Sequence, residues 1–136
     1  MAGGLVASVS LITFDTRLRR VTDASGVDLD EAKRELRHEM RALRRSLPDR
    51  SERSVRLFEH VTSIDAVFDA RVVMDFVSIT GEPETSPFIS WCMSRLLRVV
   101  LPEDEPSPNP RDVDVVIVPG TAFTADGRRL GQGGGW

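Results

Sequence analysis

The sequence predicts an α/β fold, in which helices pack against a mostly parallel β-sheet. Two nearly continuous apolar runs, residues 72–79 and 113–118, are typical of strands that are buried on both faces of such a sheet. A helix predicted at residues 88–97 separates the two runs along the chain. This order of strand, helix and strand indicates an α/β architecture.

The composition fits one globular domain. The 136 residues are 40% hydrophobic and 29% charged, which excludes collagen-like and strongly disordered classes. The formal net charge of −3 gives no global positive field, so we expect neither a nucleic-acid nor a membrane partner. The only cysteine, Cys92, cannot form an internal disulfide, and no zinc-ligand spacing accompanies it. We expect a monomer in the reducing cytoplasm.

Residues 1–27 are predicted to be an appendage to the domain. Residues 5–14 are apolar, but the run is too short to span a bilayer, and its basic residues follow it instead of preceding it. It therefore fits neither a signal peptide nor an anchor. Residues 22–26 are small and polar. The appendage is expected to be one added strand, a disordered segment or a non-native extension, and the domain is expected at residues 28–136.

Two helices are predicted at the start of the domain. Apolar residues at spacings of three and four place one stripe along residues 28–47, and Pro48 ends that helix. Acidic residues lie in its first turn, and Arg44 and Arg45 lie near its last turn, where the helix dipole favours negative and positive charge respectively. Ser51 is expected to cap the second helix. Its expected inward-facing residues are Val55, Phe58, Val61 and Ile64.

The strands are predicted from apolar runs and the residues that stop them. Gly81 and Pro83 end the run at residues 72–79, a short strand follows at residues 98–101, and Pro119 with Gly120 ends the run at residues 113–118. Residues 103–110 are acidic and rich in proline, which predicts an extended surface loop.

The C-terminal segment is unusually rich in glycine. After Gly120, which ends the last predicted strand, residues 121–136 contain five more glycines, at positions 127, 131, 133, 134 and 135. Such a loop lets successive backbone amides converge on an anion, and Arg129 adds a fork of donors. Taken alone, the segment fits a flexible glycine-rich tail equally well, because it matches neither of the common phosphate-loop patterns.

Four motifs in chain order carry a resemblance to a known family. The segment PG-x-AF-x-x-x-G-x-RLG-x-G-x-GW at residues 119–136 resembles the signature of the 5-formyltetrahydrofolate cyclo-ligase family, also called methenyltetrahydrofolate synthetases. Lys33, Leu36 and Arg37 are similar to its K-x-x-L-R element. Residues 76–85 resemble its strand followed by E-x-x-T, and residues 99–102 resemble its strand ending in Leu-Pro.

The resemblance covers roughly residues 31–136 and implies a three-layer α/β/α domain. Members of the family convert 5-formyltetrahydrofolate to 5,10-methenyltetrahydrofolate in one-carbon metabolism, while MgATP is hydrolysed to ADP and phosphate. The resemblance therefore implies a ligase that uses ATP and Mg²⁺.

The resemblance also implies roles for particular residues. Lys33 and Arg129 would be catalytic. The implied ATP-binding residues are Lys33, Arg37, Arg129, Leu130, Gly131, Gln132, Gly133, Gly134, Gly135 and Trp136. The implied substrate-binding residues are Val77, Glu82 and Trp136, with the Glu82 carboxylate accepting hydrogen bonds from the pterin. No metal ligand is implied within the chain.

Each of these residues also has a simpler interpretation. Lys33 and Arg37 alone would fit a solvated helix face, and Glu82 alone would fit a loop carboxylate in water. The series Arg41, Arg44, Arg45, Arg50, Arg53 and Arg56 is interleaved with acids, which favours a mixed-charge solvated face over RNA binding. His38 and His60 are expected on the surface, and Cys92 and Met93 in the helix core.

The sequence departs from the family in three places. The family continues past the position of Trp136 with an aspartate that helps to hold magnesium, with strands and with a helix, so we expect a domain truncated after the glycine-rich loop. Residues 103–110 replace a longer stretch, and Thr124 replaces an aspartate. The alternatives are therefore a catalytically inactive nucleotide- or folate-binding fragment, or a helical interaction module built on residues 28–68.

Overall fold

The computed structural model describes residues 5–9, for the backbone only, and residues 28–133. The strands are β1 Leu5–Val9, β2 Val72–Met74, β3 Arg98–Val100, β4 Val115–Pro119, β5 Ala122–Phe123 and β6 Arg129–Leu130. The helices are α1 Leu29–Ser46, α2 Arg50–Thr62, α3 Asp65–Phe68 and α4 Ser86–Ser94, with one 3₁₀ turn at Pro110–Asp112.

The central feature is a four-stranded parallel sheet in the order β1-β4-β2-β3. Val73 of β2 pairs with Val99 of β3 on one side and with Val115 of β4 on the other. The α/β fold with a parallel sheet is therefore confirmed. Strand β1 lies at the edge and pairs with β4 from Leu5↔Val115 to Val9↔Pro119, so this part of the predicted appendage is an added strand. The rest of residues 1–27 lies outside the described residues.

Helices α2, α3 and α4 cover one face of the sheet. Phe58 of α2 stacks on Phe88 of α4 with ring centroids 5.1 Å apart, and both rings belong to a core that includes the alternating residues Val115 and Ile117 of β4. On the opposite face, Val116 and its neighbours line an apolar cavity of about 290 Å³. The alternation along β4 separates the two faces.

Helix α1 confirms the long helix predicted at residues 28–47. The Asp28 carboxylate caps it by accepting hydrogen bonds from the backbone N–H groups of Asp30 and Glu31, at 3.0 and 3.3 Å. The apolar stripe of α1 packs Leu36 and Met40 against Ala122 and Leu130, which form a second, smaller core. This packing places α1 beside the segment that follows β4.

Strand β2 is shorter than predicted. The run at residues 72–79 forms a strand only as far as Met74, and Val77 and Ile79 are 54% and 57% exposed. Beyond Met74, the β2–β3 ladder continues by one bond, from the Asp75 N–H to the Val100 carbonyl at 3.0 Å, and β3 itself ends at Val100. The remaining residues of the run therefore form a loop at the carboxyl edge of the sheet.

Helix α2 begins differently from the prediction. Asp49, in the left-handed region at φ 55°, precedes the first turn, and the Ser51 hydroxyl donates to Glu84 Oε2 at 2.8 Å instead of capping. The predicted inward-facing residues Val55 and Ile64 are 41% and 42% exposed. The small side chain of Ser54 is fully buried in their place, since its hydroxyl donates to the Arg50 carbonyl and accepts from the Glu84 N–H.

Candidate functional site

A short hairpin carries the glycine-rich segment back to the sheet. Strands β5 and β6 pair antiparallel, with Ala122 opposite Leu130, and the Thr121 N–H donates to the Leu130 carbonyl at 2.7 Å. Thr124 closes the turn, because its hydroxyl contacts Asp126 and accepts from the Arg128 N–H at 2.9 Å. Residues 131–133 are thereby brought next to the carboxyl end of β4.

Arginines on one face of α1 hold this segment by its carbonyls. Arg37 Nε donates to the Gly131 carbonyl at 2.9 Å, and Arg41 donates to the Gln132 carbonyl at 2.6 Å. One turn later, Arg44 donates to the carbonyl of Gly120 and, at 3.4 Å, to that of Gly81. The helix therefore fixes the glycine-rich segment, the end of β4 and the loop that contains Gly81.

Glu82 lies at the centre of the site. Its side chain is only 3% exposed, its Oε1 accepts from Gln132 Nε2 at 2.7 Å, and its Oε2 accepts from the Ile79 N–H at 3.2 Å. Arg50 supports the same loop by donating to the Glu82 carbonyl at 2.7 Å and to the Ser78 hydroxyl at 3.0 Å. The interpretation of Glu82 as a loop carboxylate in water is wrong, because the glycine-rich segment covers it.

These loops enclose a cavity of about 400 Å³, which we call the site cavity. Its charged groups are the carboxylates of Glu82 and Glu103 and the guanidinium of Arg129. The remaining lining residues are Phe76, Val77, Ile79, Pro119, Gly131, Gln132 and Gly133. Arg129 also donates from Nη1 to the Pro119 carbonyl at 3.2 Å, which holds it at the end of β4.

The fold brings together six of the residues that the sequence nominated. Val77, Glu82, Arg129, Gly131, Gln132 and Gly133 line the site cavity. Arg37 contacts Gly131 from the side of α1. Gly134, Gly135 and Trp136 lie outside the described residues.

Two nominated residues lie away from the site cavity. Lys33 is not among the residues that line it, and its ammonium lies 3.9 Å from the Asp30 carboxylate with 45% of the side chain exposed. The Leu130 side chain is buried against α1, so only its backbone is available to a ligand.

The sequence interpretation missed three arginines of the site. Arg41, Arg44 and Arg50 bind loop carbonyls, so the expectation that they form a solvated face is wrong for these residues. Burial lowers the pKa of Arg44 from its ordinary value, and nearby Arg41 lowers it further, while Glu82 opposes both effects. The spacing of residues 37, 41 and 44 along one helix face was the available signal.

Two other sequence expectations have clear outcomes. His38 and His60 are exposed, as expected, and Cys92 is fully buried. Met93 was expected in the core but is 68% exposed, because it lies on the outer face of α4. Across residues 28–133, no helix is both long and apolar enough to cross a membrane.

Comparison with known proteins agrees with this architecture. The family model of the 5-formyltetrahydrofolate cyclo-ligase family matches residues 29–110. The NMR structure of the 5,10-methenyltetrahydrofolate synthetase of Aquifex aeolicus superimposes with a TM-score of 0.64 at 24% identity, covering 76% of this chain and 69% of that protein. At that identity the superposition shows a shared fold. No curated protein matches the chain.

Proposed function

Because the chain belongs to the 5-formyltetrahydrofolate cyclo-ligase family, we propose that it converts 5-formyltetrahydrofolate to 5,10-methenyltetrahydrofolate with the hydrolysis of ATP to ADP and phosphate. The observation that carries this proposal is the site cavity, where Glu82 and the glycine-rich segment face one another. The family match begins at residue 29, which supports a domain that starts near residue 28. We further propose that the protein acts as a cytoplasmic monomer.

The proposed reaction requires two ligands to be held in line. The formyl oxygen is a poor leaving group until it is phosphorylated. It therefore first attacks the terminal phosphorus of ATP, and ADP leaves. The other folate nitrogen then attacks the formyl carbon, loses its proton, and phosphate departs. The protein must position both substrates and stabilise charge on the transferring phosphoryl group.

The glycine-rich segment supports the nucleotide side of the proposal. Gly133 has a φ of 97°, and Arg37 lies 3.4 Å from the position that a Cβ would occupy there. Carbonyls of residues 131 and 132 are already bound by α1. Backbone amides of the segment, together with Arg37 and Arg129, would therefore hold phosphate oxygens.

Glu82 supports the folate side. Each carboxylate oxygen accepts about two hydrogen bonds, and in this structure each accepts one from the protein. Glu82 therefore retains capacity for N–H donors of a pterin, and exposed Val77 offers an apolar surface beside it. Gln132 would keep the carboxylate aimed at the cavity.

Magnesium has fewer candidate ligands in this site than ATP or the folate has. Within residues 28–133, no three His, Cys, Asp or Glu side chains come together in a way that could hold a metal ion. A bound Mg²⁺ would neutralise phosphate charge, and ATP itself would supply most of its ligands. Glu103 is the carboxylate of the site cavity that remains for it, since Glu82 bonds to Gln132 and Ile79.

A catalytically inactive nucleotide- and folate-binding protein is the second candidate. Two observations favour it: the described residues provide no cluster of three His, Cys, Asp or Glu side chains for a metal ion, and Lys33 does not line the site cavity. The helical interaction module is less well supported, because the apolar stripe of α1 is already packed against Ala122 and Leu130.

The experiment that separates these functions is an absorbance assay. Addition of ATP, magnesium and 5-formyltetrahydrofolate to the purified chain is expected to produce the near-ultraviolet absorbance of methenyltetrahydrofolate. Lys33→Ala is expected to abolish the signal, whereas Arg34→Ala, an exposed neighbour on the same helix, should retain it. Calorimetric binding of both ligands without turnover would favour the inactive candidate, and a folded chain that binds neither ligand would refute both.

A further inference from the structure

Gln132 connects the two ligand-binding parts of the site cavity. Its backbone belongs to the glycine-rich segment, and its side-chain Nε2 donates to Glu82 Oε1 at 2.7 Å across 50 positions of sequence. The proposed function assigns the segment to the nucleotide and Glu82 to the folate. This hydrogen bond therefore joins the part of the protein that would hold one substrate to the part that would hold the other.

The orientation of the Gln132 amide is fixed by partners on both sides. Its Oε1 accepts from Arg41 Nη2 at 3.2 Å and from the hydroxyl of buried Thr121 at 3.3 Å. A flipped amide would place its oxygen against the Glu82 carboxylate and its N–H groups against the Arg41 donor. The amide therefore presents its donor to Glu82.

Glu82 depends on this donor because it is buried. Only 3% of Glu82 is exposed, and its other oxygen accepts from the backbone N–H of Ile79 at 3.2 Å. Arg44 attracts the carboxylate, but its terminal nitrogens donate to backbone carbonyls. A buried carboxylate that loses a charge-assisted donor is costly. The direction of the Glu82 carboxylate therefore depends on where the glycine-rich segment places residue 132.

This dependence links the two ligands. Arg37 and Arg41 bind the carbonyls of residues 131 and 132, so the nucleotide would contact the segment through its N–H groups. A nucleotide bound there stabilises the backbone conformation from which the Gln132 side chain reaches Glu82, and a folate bound to Glu82 stabilises the same conformation. Because coupling between two binding sites is reciprocal, each ligand then raises the affinity for the other.

We propose that Gln132 is a positioning residue that couples nucleotide binding to folate binding, by orienting the Glu82 carboxylate when the glycine-rich segment is occupied. This inference rests on the proposed function. Gln132 acts through Glu82 and contacts no reacting atom. The folate therefore binds tightly in the presence of ATP and weakly in its absence.

The test is a pair of calorimetric titrations with 5-formyltetrahydrofolate, one without nucleotide and one with saturating magnesium and the non-hydrolysable β,γ-imido analogue of ATP. The unmodified chain is expected to bind the folate about tenfold more tightly when the analogue is present. Gln132→Met keeps the length of the side chain but removes its donor and its acceptor, so that ratio should fall to less than about twofold. Gln132→Glu keeps the acceptor for Arg41 but brings a second carboxylate to Glu82, so it should weaken folate binding more than Gln132→Met does.

A third titration, with the analogue and no folate, separates positioning from a purely structural role. Arg41 binds the backbone carbonyl of residue 132, and Gln132→Met leaves that carbonyl in place. The Kd of the analogue should therefore change by less than about twofold in this variant. A large loss of analogue affinity would show that the substitution disturbs the segment itself, and it would overturn the positioning role.

Two further results would overturn the proposal: equal folate affinities of the unmodified chain with and without the bound analogue, or a ratio that Gln132→Met leaves unchanged. In both cases the ligands still bind, so the proposed function stands and only the coupling is refuted. A folded chain that binds neither ligand would refute the proposed function and this inference together.

Discussion

At the scale of single residues, Asp75 is the most unusual group in the core. Its side chain is fully buried, and neither carboxylate oxygen has a hydrogen-bond partner. Burial raises its pKa to about 6. The backbone N–H of Phe76 lies close enough to offset part of that rise, although its geometry is not that of a normal hydrogen bond. Burial, with a contribution from Asp75, also raises the pKa of the Cys92 thiol to about 11.

The raised pKa of Asp75 predicts the direction of a pH effect on stability. Because the folded-state value of about 6 lies above the ordinary 3.8, the native state binds this proton more tightly than the unfolded chain. The contribution to stability is complete below pH 3.8 and is lost as the pH rises through 6. The free energy of unfolding of Asp75→Asn, minus that of the unmodified chain, is expected to rise by roughly 3 kcal/mol from acid to neutral pH.

Urea unfolding of both proteins between pH 4 and pH 7 measures this difference. Asp114 gives a contrasting control, because the N–H groups of Arg71 and Val72 bind its carboxylate and lower its pKa. Removing Asp114 should therefore cost stability at neutral pH and less in acid. Parallel stability curves for Asp75→Asn and the unmodified chain would show that Asp75 is not a buried, titrating group.

At the scale of elements, the glycine-rich segment is positioned by α1 and by its own backbone conformation. Arg37, Arg41 and Arg44 bind carbonyls at successive turns, so one helix holds three points of the loops. Gly133 occupies the left-handed region at φ 97°, while no atom lies within 4 Å of the position that a Cβ would occupy at Gly131. The two glycines are therefore not equivalent.

This difference predicts the effect of alanine at each position. Gly133→Ala should lower the free energy of unfolding by about 1 kcal/mol or more, because alanine disfavours positive φ and its methyl group would contact Arg37. Gly131→Ala should change it by less than about 0.5 kcal/mol, since nothing lies within 4 Å of the added carbon. Chemical denaturation of the two variants in parallel would test this, and equal losses would contradict the described loop.

At the scale of the whole molecule, the stacked aromatic core joins the helical layer to the sheet. Phe88 of α4 is fully buried and stacks on Phe58 of α2 and on Trp91, whose centroids lie 5.1 and 6.0 Å away. These contacts connect both long helices of that layer to β2 and β4. Loss of this ring would affect the entire fold.

We expect Phe88→Ala to destabilise the protein by about 3–5 kcal/mol, a large fraction of the stability of a small domain. Met93→Ala on the same helix is the matched control, because Met93 is 68% exposed and its loss should cost less than about 0.5 kcal/mol. Thermal unfolding followed by circular dichroism measures both. Similar midpoints for the two variants would show that α4 is not packed by the face that carries Phe88.

The sequence by itself determined the parallel α/β class, the long helix at residues 28–47 and the membership of Glu82 and residues 131–133 in one candidate site. Periodicity and apolar runs determine the first two features because they reflect local burial, whereas the third was implied by the motifs that resemble the cyclo-ligase family. Only the tertiary structure decided that Val77 lies in a loop, that Lys33 lies off the site cavity and that Arg41, Arg44 and Arg50 are structural. The sequence around an arginine is the same whether its N–H groups donate to water or to a distant carbonyl. Such contacts therefore depend on how elements far apart in sequence pack together.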